Sequence, residues 1–235
     1  MAKKMSLSPL AASVKQDIQA FLSGLTRPFT CEADSQLSLA GYLRGTGKYQ
    51  NVHLEYFVPN VVIAGKTSNA YIDIVVENNC EFVPIELKFK TTSLKSPATP
   101  YSCFGFPTNS PLYTKMDAHN DNRYAVWKDV KRIEWIKSHP QYSKTVKNGF
   151  VVFISNDPAY QRPAKGYSTA NCSHSKPVEY HSREPELEIS DYYDIDWQPI
   201  PGITIGGTQP CGADPQTCVN GEKANPGFSY TIIEV

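Results

Sequence analysis

Long apolar runs, cysteine pairs and clustered histidines are all missing from this chain of 235 residues. No apolar run approaches the roughly 18–20 residues that a membrane-spanning helix needs, so we expect no membrane partner. The six cysteines include no Cys-x-x-Cys pair, which excludes the common thiolate zinc motifs. The five histidines show neither His-x-His nor His-x-x-x-His spacing, so the pattern predicts no histidine-bound metal.

The cysteine positions also bear on the cellular compartment. Cys211 and Cys218 flank a short loop of Gly, Asp and Pro residues, where a disulfide can form. The other four cysteines are scattered and form no disulfide framework. Free thiols in a reducing compartment are the simpler explanation, so we expect a cytoplasmic protein.

The formal net charge is zero, but the charges are unevenly distributed along the chain. Residues 1–178 contain 21 Lys and Arg against 13 Asp and Glu, whereas residues 179–235 contain 2 against 10. The excess of Lys and Arg in residues 1–178 suits a polyanionic partner such as nucleic acid. The acidic segment suits docking on a basic surface, or covering the cleft of its own chain.

The first 45 residues have the apolar spacing of two helices. Ser8-Pro9 suits an N-cap and a first helical position, and Gly24 suits the end of that helix. The spacing predicts a second helix over residues 30–44. Glu32 and Gln36 are four residues apart and therefore share one face of that helix.

The period then changes to the alternation that is typical of β-strands. Turn signals occur at Pro59, at Gly65 and at Asn78-Asn79. The predicted strands are residues 52–58, 61–63, 71–76 and 82–89. Together they form an antiparallel meander.

The second half of the chain adds a helix and at least one strand to this meander. Residues 92–119 are rich in Ser, Thr, Pro and Asn and predict a long loop. A helix is expected over residues 120–138 and a buried strand over residues 149–154. Beyond residue 159, only residues 192–197 and 230–233 are strand-like.

We therefore predict an α/β fold, more narrowly α+β, in which helices flank a mixed central sheet. Residues 1–158 would form the core domain. Residues 159–235 would be an irregular, acidic, Pro- and Tyr-rich C-terminal extension packed on that core.

Three ionisable residues interrupt the two most apolar of these predicted strands. Asp73 lies within Tyr-Ile-Asp-Ile-Val-Val, and Glu86 and Lys88 lie within Pro-Ile-Glu-Leu-Lys-Phe. Residues two apart in a strand point to the same face, and a hairpin between the strands places Asp73 beside Glu86 or Lys88. Charges on apolar strands are costly to bury unless they are paired or bind a cation.

Two carboxylates and an ammonium are a minimal set for phosphodiester hydrolysis. Carboxylate oxygens suit Mg²⁺, which makes a bound water easier to deprotonate and neutralises charge in the transition state. A nearby lysine orients that water or stabilises the developing charge. The alternative for Asp73, Glu86 and Lys88 is a solvated sheet face with a cross-strand ion pair.

An Asp on one strand followed by Glu-x-Lys on the next resembles the PD-(D/E)XK nuclease superfamily, which has the restriction-endonuclease-like fold. The resemblance covers about residues 29–157, although Ile72 replaces the proline of the family's name. It implies that Asp73 and Glu86 hold Mg²⁺, with Mn²⁺ as a substitute, and that Lys88 positions the attacking water. It also implies a further carboxylate from the first core helix, for which Glu32 is the candidate.

Several neighbouring residues allow two interpretations. Glu32 is either a metal ligand or simply a favourable acid in the first turn of a helix. For Glu55 we favour a strand residue that points outward over one that supports the site residues from the neighbouring strand. Lys90 continues the Glu86–Lys88 face, where it either contacts phosphate or is solvated. For Asn156-Asp157 we favour a turn over a contribution to the cleft.

Three basic residues on the predicted third helix raise the same question. Lys128, Lys131 and Arg132 either contact a phosphate backbone or form an ordinary charged helix surface. We count Lys90, Lys128 and Arg132 as candidate nucleic-acid contacts.

The sequence thus predicts a Mg²⁺-dependent deoxyribonuclease, an endonuclease of restriction, defence or DNA processing. DNA is the expected partner, and a homodimer is left open. The alternative is a catalytically inactive module on the same fold that binds nucleic acid or another protein.

Overall fold

A computed structural model describes residues 6–95, 111–113, 115–116, 118–170, 185–203, 208–210, 222–224 and 227–235. The described chain has an α+β architecture in which three helices flank a six-stranded mixed sheet. The prediction of a mixed sheet flanked by helices is therefore confirmed. None of the described helices is long and apolar enough to cross a membrane.

The three helices begin and end close to where the sequence predicts. Helix α1 is Pro9–Ser23, and the hydroxyl of Ser8 caps it by accepting a hydrogen bond from the N–H of Ala11. Helix α2 is Glu32–Gly45 and helix α3 is His119–Ser138. Helix α2 therefore begins two residues later than predicted, which makes Glu32 its first residue.

The described strands are β1 (Asn51–Ile63), β2 (Lys66–Asn78), β3 (Glu81–Lys90), β4 (Leu94–Lys95), β5 (Pro111–Tyr113), β6 (Phe150–Ser155), β7 (Gln198–Pro199), β8 (Thr208–Pro210), β9 (Glu222–Ala224) and β10 (Ser229–Glu234). The central sheet has the order β1-β2-β3-β6-β10-β7. Two small two-stranded sheets, β4 with β5 and β8 with β9, lie outside it.

Strands β1, β2 and β3 form an antiparallel meander, and β6 then pairs with β3 in parallel. A parallel neighbour needs a crossover connection, and α3 lies in the connection between β3 and β6. Strand β10 closes the other side of β6 in antiparallel orientation. Residues from beyond 159 thus contribute two strands, β10 and β7, to the central sheet.

Strand β1 is longer than predicted. We expected it to stop at Pro59, but it continues to Ile63 and includes the separate run predicted over residues 61–63. Because β1 is an edge strand, the missing N–H of Pro59 need not cost a ladder bond. The register shifts between Val58 and Val61, and the strand resumes beyond that irregularity.

The prediction of a strand over residues 192–197 is wrong, and the strand in this part of the chain is Gln198–Pro199. Tyr193 and Ile195 are buried in a core cluster together with residues of α3. The hydroxyl of Tyr193 also donates to Glu134 of α3 over 2.8 Å. The alternating pattern therefore reflects packing against a helix rather than a β-ladder.

The long loop predicted over residues 92–119 is described only in part. Strands β4 and β5 pair within it, and residues 96–110 lie outside the described residues. The Cys211–Cys218 pair also lies outside them. Cys31 and Cys80 are exposed free thiols.

Apolar residues pack on both faces of the sheet. One cluster joins α1 and α2 to the sheet, and its members include Val83, Ile85 and Leu87 of β3. The other joins α3 to the opposite face. Because side chains alternate along β3, Glu86 and Lys88 point toward the α3 face.

Strand β2 changes faces at Asp73. Ile74 packs in the α1–α2 cluster, whereas Ile72, two residues earlier, packs in the α3 cluster. In a regular strand these residues would share a face. Glu55 of the neighbouring strand adopts a left-handed backbone conformation (φ 50°) at the same level. Asp73 therefore lies at a local twist between the two faces.

Gly149 allows α3 to lie close to β3. A Cβ atom at this position would come within 2.6 Å of the Ile133 side chain and 2.9 Å of the Pro84 ring. A Cβ at Gly41 of α2, in contrast, would meet no atom within 4 Å.

We predict that Gly149→Ala lowers the free energy of unfolding by about 1–3 kcal/mol, because it overpacks the contact between α3 and β3. Gly41→Ala is the matched control and should raise it by about 0.5–1 kcal/mol, since alanine is the better helix former. Urea denaturation measures both. Equal stability of Gly149→Ala and wild type would contradict the close packing of α3.

Candidate active site

The candidate site lies where β2 separates from β3. The ladder between these strands ends at the pair Ile74–Ile85, while β3 continues along β6 as far as Lys90. Two N–H groups of β3 beyond that point donate to carboxylates instead. The N–H of Leu87 donates to Asp73 Oδ2 over 2.6 Å, and that of Phe89 donates to Glu32 Oε2 over 2.9 Å.

Helix α2 places two side chains in this gap. Glu32 is its first residue, and Gln36 follows one turn later on the same face. The side-chain amide of Gln36 donates to the backbone carbonyl of Asp73 and to Glu55 Oε1, each over 2.7 Å. Gln36 thus links α2 to both β1 and β2 at the twist.

Helix α3 covers the other side of the site with one acid and one base. Lys88 Nζ lies 2.7 Å from Asp129 Oδ2, and Arg132 contacts Glu86 Oε1 through its guanidinium. Arg132 also lies 3.2 Å from Asp129 Oδ1. Glu86 is 1% exposed and Asp129 is 4% exposed, so both carboxylates are effectively removed from water.

The cluster holds more negative than positive groups. Its carboxylates are Glu32, Asp73, Glu86 and Asp129, and its cations are Lys88 and Arg132. If all six side chains are ionised, the cluster therefore carries two excess negative charges. Such an excess is costly away from water unless a proton or a cation compensates it.

The pKa values respond to this imbalance. Burial raises the pKa of Asp73, opposed by the Leu87 N–H and the Lys88 ammonium. Burial also raises the pKa of Glu86 well above its ordinary value, with the charges of Asp129 and Asp73 acting in the same direction and Arg132 against them. Burial lowers the pKa of Lys88, but the neighbouring carboxylates outweigh this and the net shift is upward.

The donor set has the chemistry of a Mg²⁺ site, because carboxylate oxygens are the ligands this ion takes in proteins. In the arrangement described, however, no three acidic, His or Cys residues of the described ranges stand ready as a metal-binding group. Arg132 contacts Glu86 Oε1, so its guanidinium lies at one of the two oxygens that Glu86 could offer to a metal. Metal binding through this oxygen would require Arg132 to move.

The remaining predicted residues lie at varying distances from this centre. Lys90 is half-buried at the end of β3, where it lies opposite Ser155 of β6 in the parallel ladder. Lys128 is half-buried on α3 and lines a cavity together with Arg132. Lys131 lies 3.3 Å from Glu134, away from the carboxylate cluster.

Glu55 and Asn156-Asp157 also have defined positions. Glu55 is exposed, as favoured from the sequence. It is nevertheless linked to Asp73, because the side-chain amide of Gln36 donates to both residues. Asn156 accepts a hydrogen bond from the N–H of Thr92, and Asp157 lies 2.8 Å from His119. Asp157 also caps the short 3₁₀ helix Pro158–Gln161.

Asp129 is the site residue that the sequence analysis missed. It lies three residues after Val126 and four before Ile133, both of which are buried on α3. A carboxylate at such a position falls within the apolar stripe of the helix. That signal was present in the sequence, although it does not say which residue partners the carboxylate.

Comparisons with known proteins supply no identity for this chain. It matches no family model, no curated protein and no solved structure.

We predict that Glu86 makes the metal-free protein relatively more stable as the pH falls. The folded-state pKa of Glu86 lies well above its ordinary value of 4.5, so the folded protein takes up a proton that the unfolded chain does not. The stability gained from this proton grows as the pH falls through the folded-state pKa, and it is complete below the unfolded value.

Urea denaturation in a chelator, from about pH 7 to about pH 5, measures this effect. Wild type should gain free energy of unfolding relative to Glu86→Gln as the pH decreases. A difference between the two proteins that stays constant over this range would contradict the raised pKa.

Proposed function

We propose that the protein is a metal-dependent endonuclease that hydrolyses phosphodiester bonds of DNA. One observation carries the proposal: Asp73 and Glu32 accept hydrogen bonds from the N–H groups of Leu87 and Phe89 in β3. These residues alternate along the strand with Glu86 and Lys88. A cluster with excess carboxylates and a buried lysine suits a divalent cation and a phosphate substrate.

The order of elements around the site supports a restriction-endonuclease-like core. An antiparallel meander of β1, β2 and β3 is followed by α3 and by β6, which is parallel to β3. This is the order that the PD-(D/E)XK resemblance implies. The resemblance expects an Asp on the second strand of the meander and Glu-x-Lys on the third, and the positions of Asp73 on β2 and Glu86-x-Lys88 on β3 support these roles.

Each residue has a role in the proposed reaction. Asp73, Glu86 and Glu32 would hold Mg²⁺, which when bound activates water and neutralises phosphate charge. Lys88 orients the attacking water, while Asp129 fixes the position of its ammonium. Arg132 releases Glu86 and becomes available to a phosphate oxygen. Hydrolysis would leave a 5′-phosphate, as the resemblance implies.

We predict that the protein nicks or linearises plasmid DNA in Mg²⁺ or Mn²⁺ and does not in a chelator. Asp73→Asn and Lys88→Ala should each lower the cleavage rate on the order of 10²-fold or more. The first removes the charge of a proposed metal ligand, and the second removes the ammonium that orients the attacking water. Agarose gel analysis of timed digests measures the rate.

Glu77→Gln is the matched control, since Glu77 lies on the same strand as Asp73 but contacts His53 and Asn51. It should cleave like wild type. Circular dichroism checks that all variants fold, because Lys88→Ala leaves Asp129 without its ammonium partner. A folded wild type that cuts neither single- nor double-stranded DNA with either metal would refute the nuclease proposal.

A second candidate is a module that binds nucleic acid without cutting it. The observation in its favour is that Arg132 already neutralises Glu86 and that Asp129 already neutralises Lys88. In such a module the ion pairs would be structural and would exclude a metal.

Thermal unfolding separates the two candidates. At a Mg²⁺ concentration of about 100 Kd, binding adds about 2.7 kcal/mol, which for a chain of this size raises the Tm by about 5–10 °C. We predict this rise for wild type and Glu77→Gln, and its loss in Asp73→Asn. Wild type that binds DNA but shows no shift with Mg²⁺ or Mn²⁺ would favour the module.

A further inference from the structure

A cavity of about 410 Å³ lies between the β1–β2 hairpin and α3. Its wall from β2 includes Lys66, Thr67 and Ser68, and its wall from α3 includes Lys128 and Arg132. These three basic side chains come from two different elements, and the described lining contains no carboxylate. Cations that converge on one cavity without an acidic partner there suit an anionic ligand.

Arg132 connects this cavity to the carboxylate cluster. Its side chain lines the cavity, while its guanidinium contacts Glu86 and lies 3.2 Å from Asp129. Lys128 lies one helical turn before Arg132. A ligand in the cavity would therefore lie directly beside the site proposed for hydrolysis.

The size and lining of the cavity restrict the ligand. A sphere of this volume is roughly 9 Å across, which is narrower than the major groove of B-DNA (about 12 Å) and therefore narrower than the duplex itself. The cavity therefore suits one unpaired nucleotide rather than a duplex segment. Val61, Ile63 and Tyr124 give it an apolar side for a base, and the lysines and hydroxyl groups suit a phosphate.

We infer that this cavity binds one unstacked nucleotide of a single-stranded DNA segment, with Lys66 and Lys128 holding its phosphate. The position beside the cleaved bond depends on the proposed nuclease function, but the binding itself does not. A single-stranded or locally unpaired segment is thus the preferred substrate.

Fluorescence anisotropy in a chelator tests this inference without cleavage. The probe is a fluorescein-labelled single-stranded oligodeoxynucleotide, compared with its duplex. The double variant Lys66→Ala, Lys128→Ala should weaken single-strand binding on the order of tenfold. It should also reduce the slope of log K against log[salt] by about 0.7, the value for one phosphate that is no longer neutralised.

Lys144→Ala, Lys147→Ala is the matched control, since both lysines are exposed in the segment between α3 and β6. It should bind like wild type. Four outcomes would overturn the inference: no oligonucleotide binding by wild type, unchanged binding by the cavity variant, equal weakening in the control, or equal loss of duplex binding.

The two proposals fail separately. If the cavity variant loses single-strand binding and wild type never cleaves, the cavity inference stands and the nuclease proposal falls. If wild type cleaves and the cavity variant binds the single strand as tightly as wild type, only the cavity inference falls.

Discussion

The separation of β2 from β3 is the constraint on which the candidate site depends. Beyond the Ile74–Ile85 pair, β3 still needs acceptors for its N–H groups, because an unsatisfied buried donor costs about 1–3 kcal/mol. Asp73 and Glu32 supply them from β2 and from the start of α2. The same hydrogen bonds that complete the strand therefore also bring two carboxylates to the candidate site.

The second consequence is electrostatic. Four carboxylates meet two cations in a space that α2 and α3 cover from opposite sides, and burial raises the pKa values of Asp73 and Glu86. A buried cluster of this kind is weak evidence for stability, since apolar packing of equal volume is often at least as stable. Under the proposed function, a divalent cation would supply the compensating positive charge.

Arg132 relates the two regions that the proposals concern. It contacts Glu86 on one side and lines the basic cavity on the other. An anion in that cavity would compete with Glu86 for the same guanidinium. Under the proposed function, substrate binding and release of Glu86 for the metal would then be coupled.

The sequence by itself determined the helices, the meander and the candidate residues on β2 and β3, because local periodicity and capping decide these features. It also placed Glu32 and Gln36 on one helix face. The tertiary structure alone decided that Asp73 and Glu32 bind β3, that Asp129 and Arg132 pair with Lys88 and Glu86, and that residues 192–197 pack against α3 without forming a strand. These contacts join residues up to 59 positions apart, and no local pattern encodes such a partner.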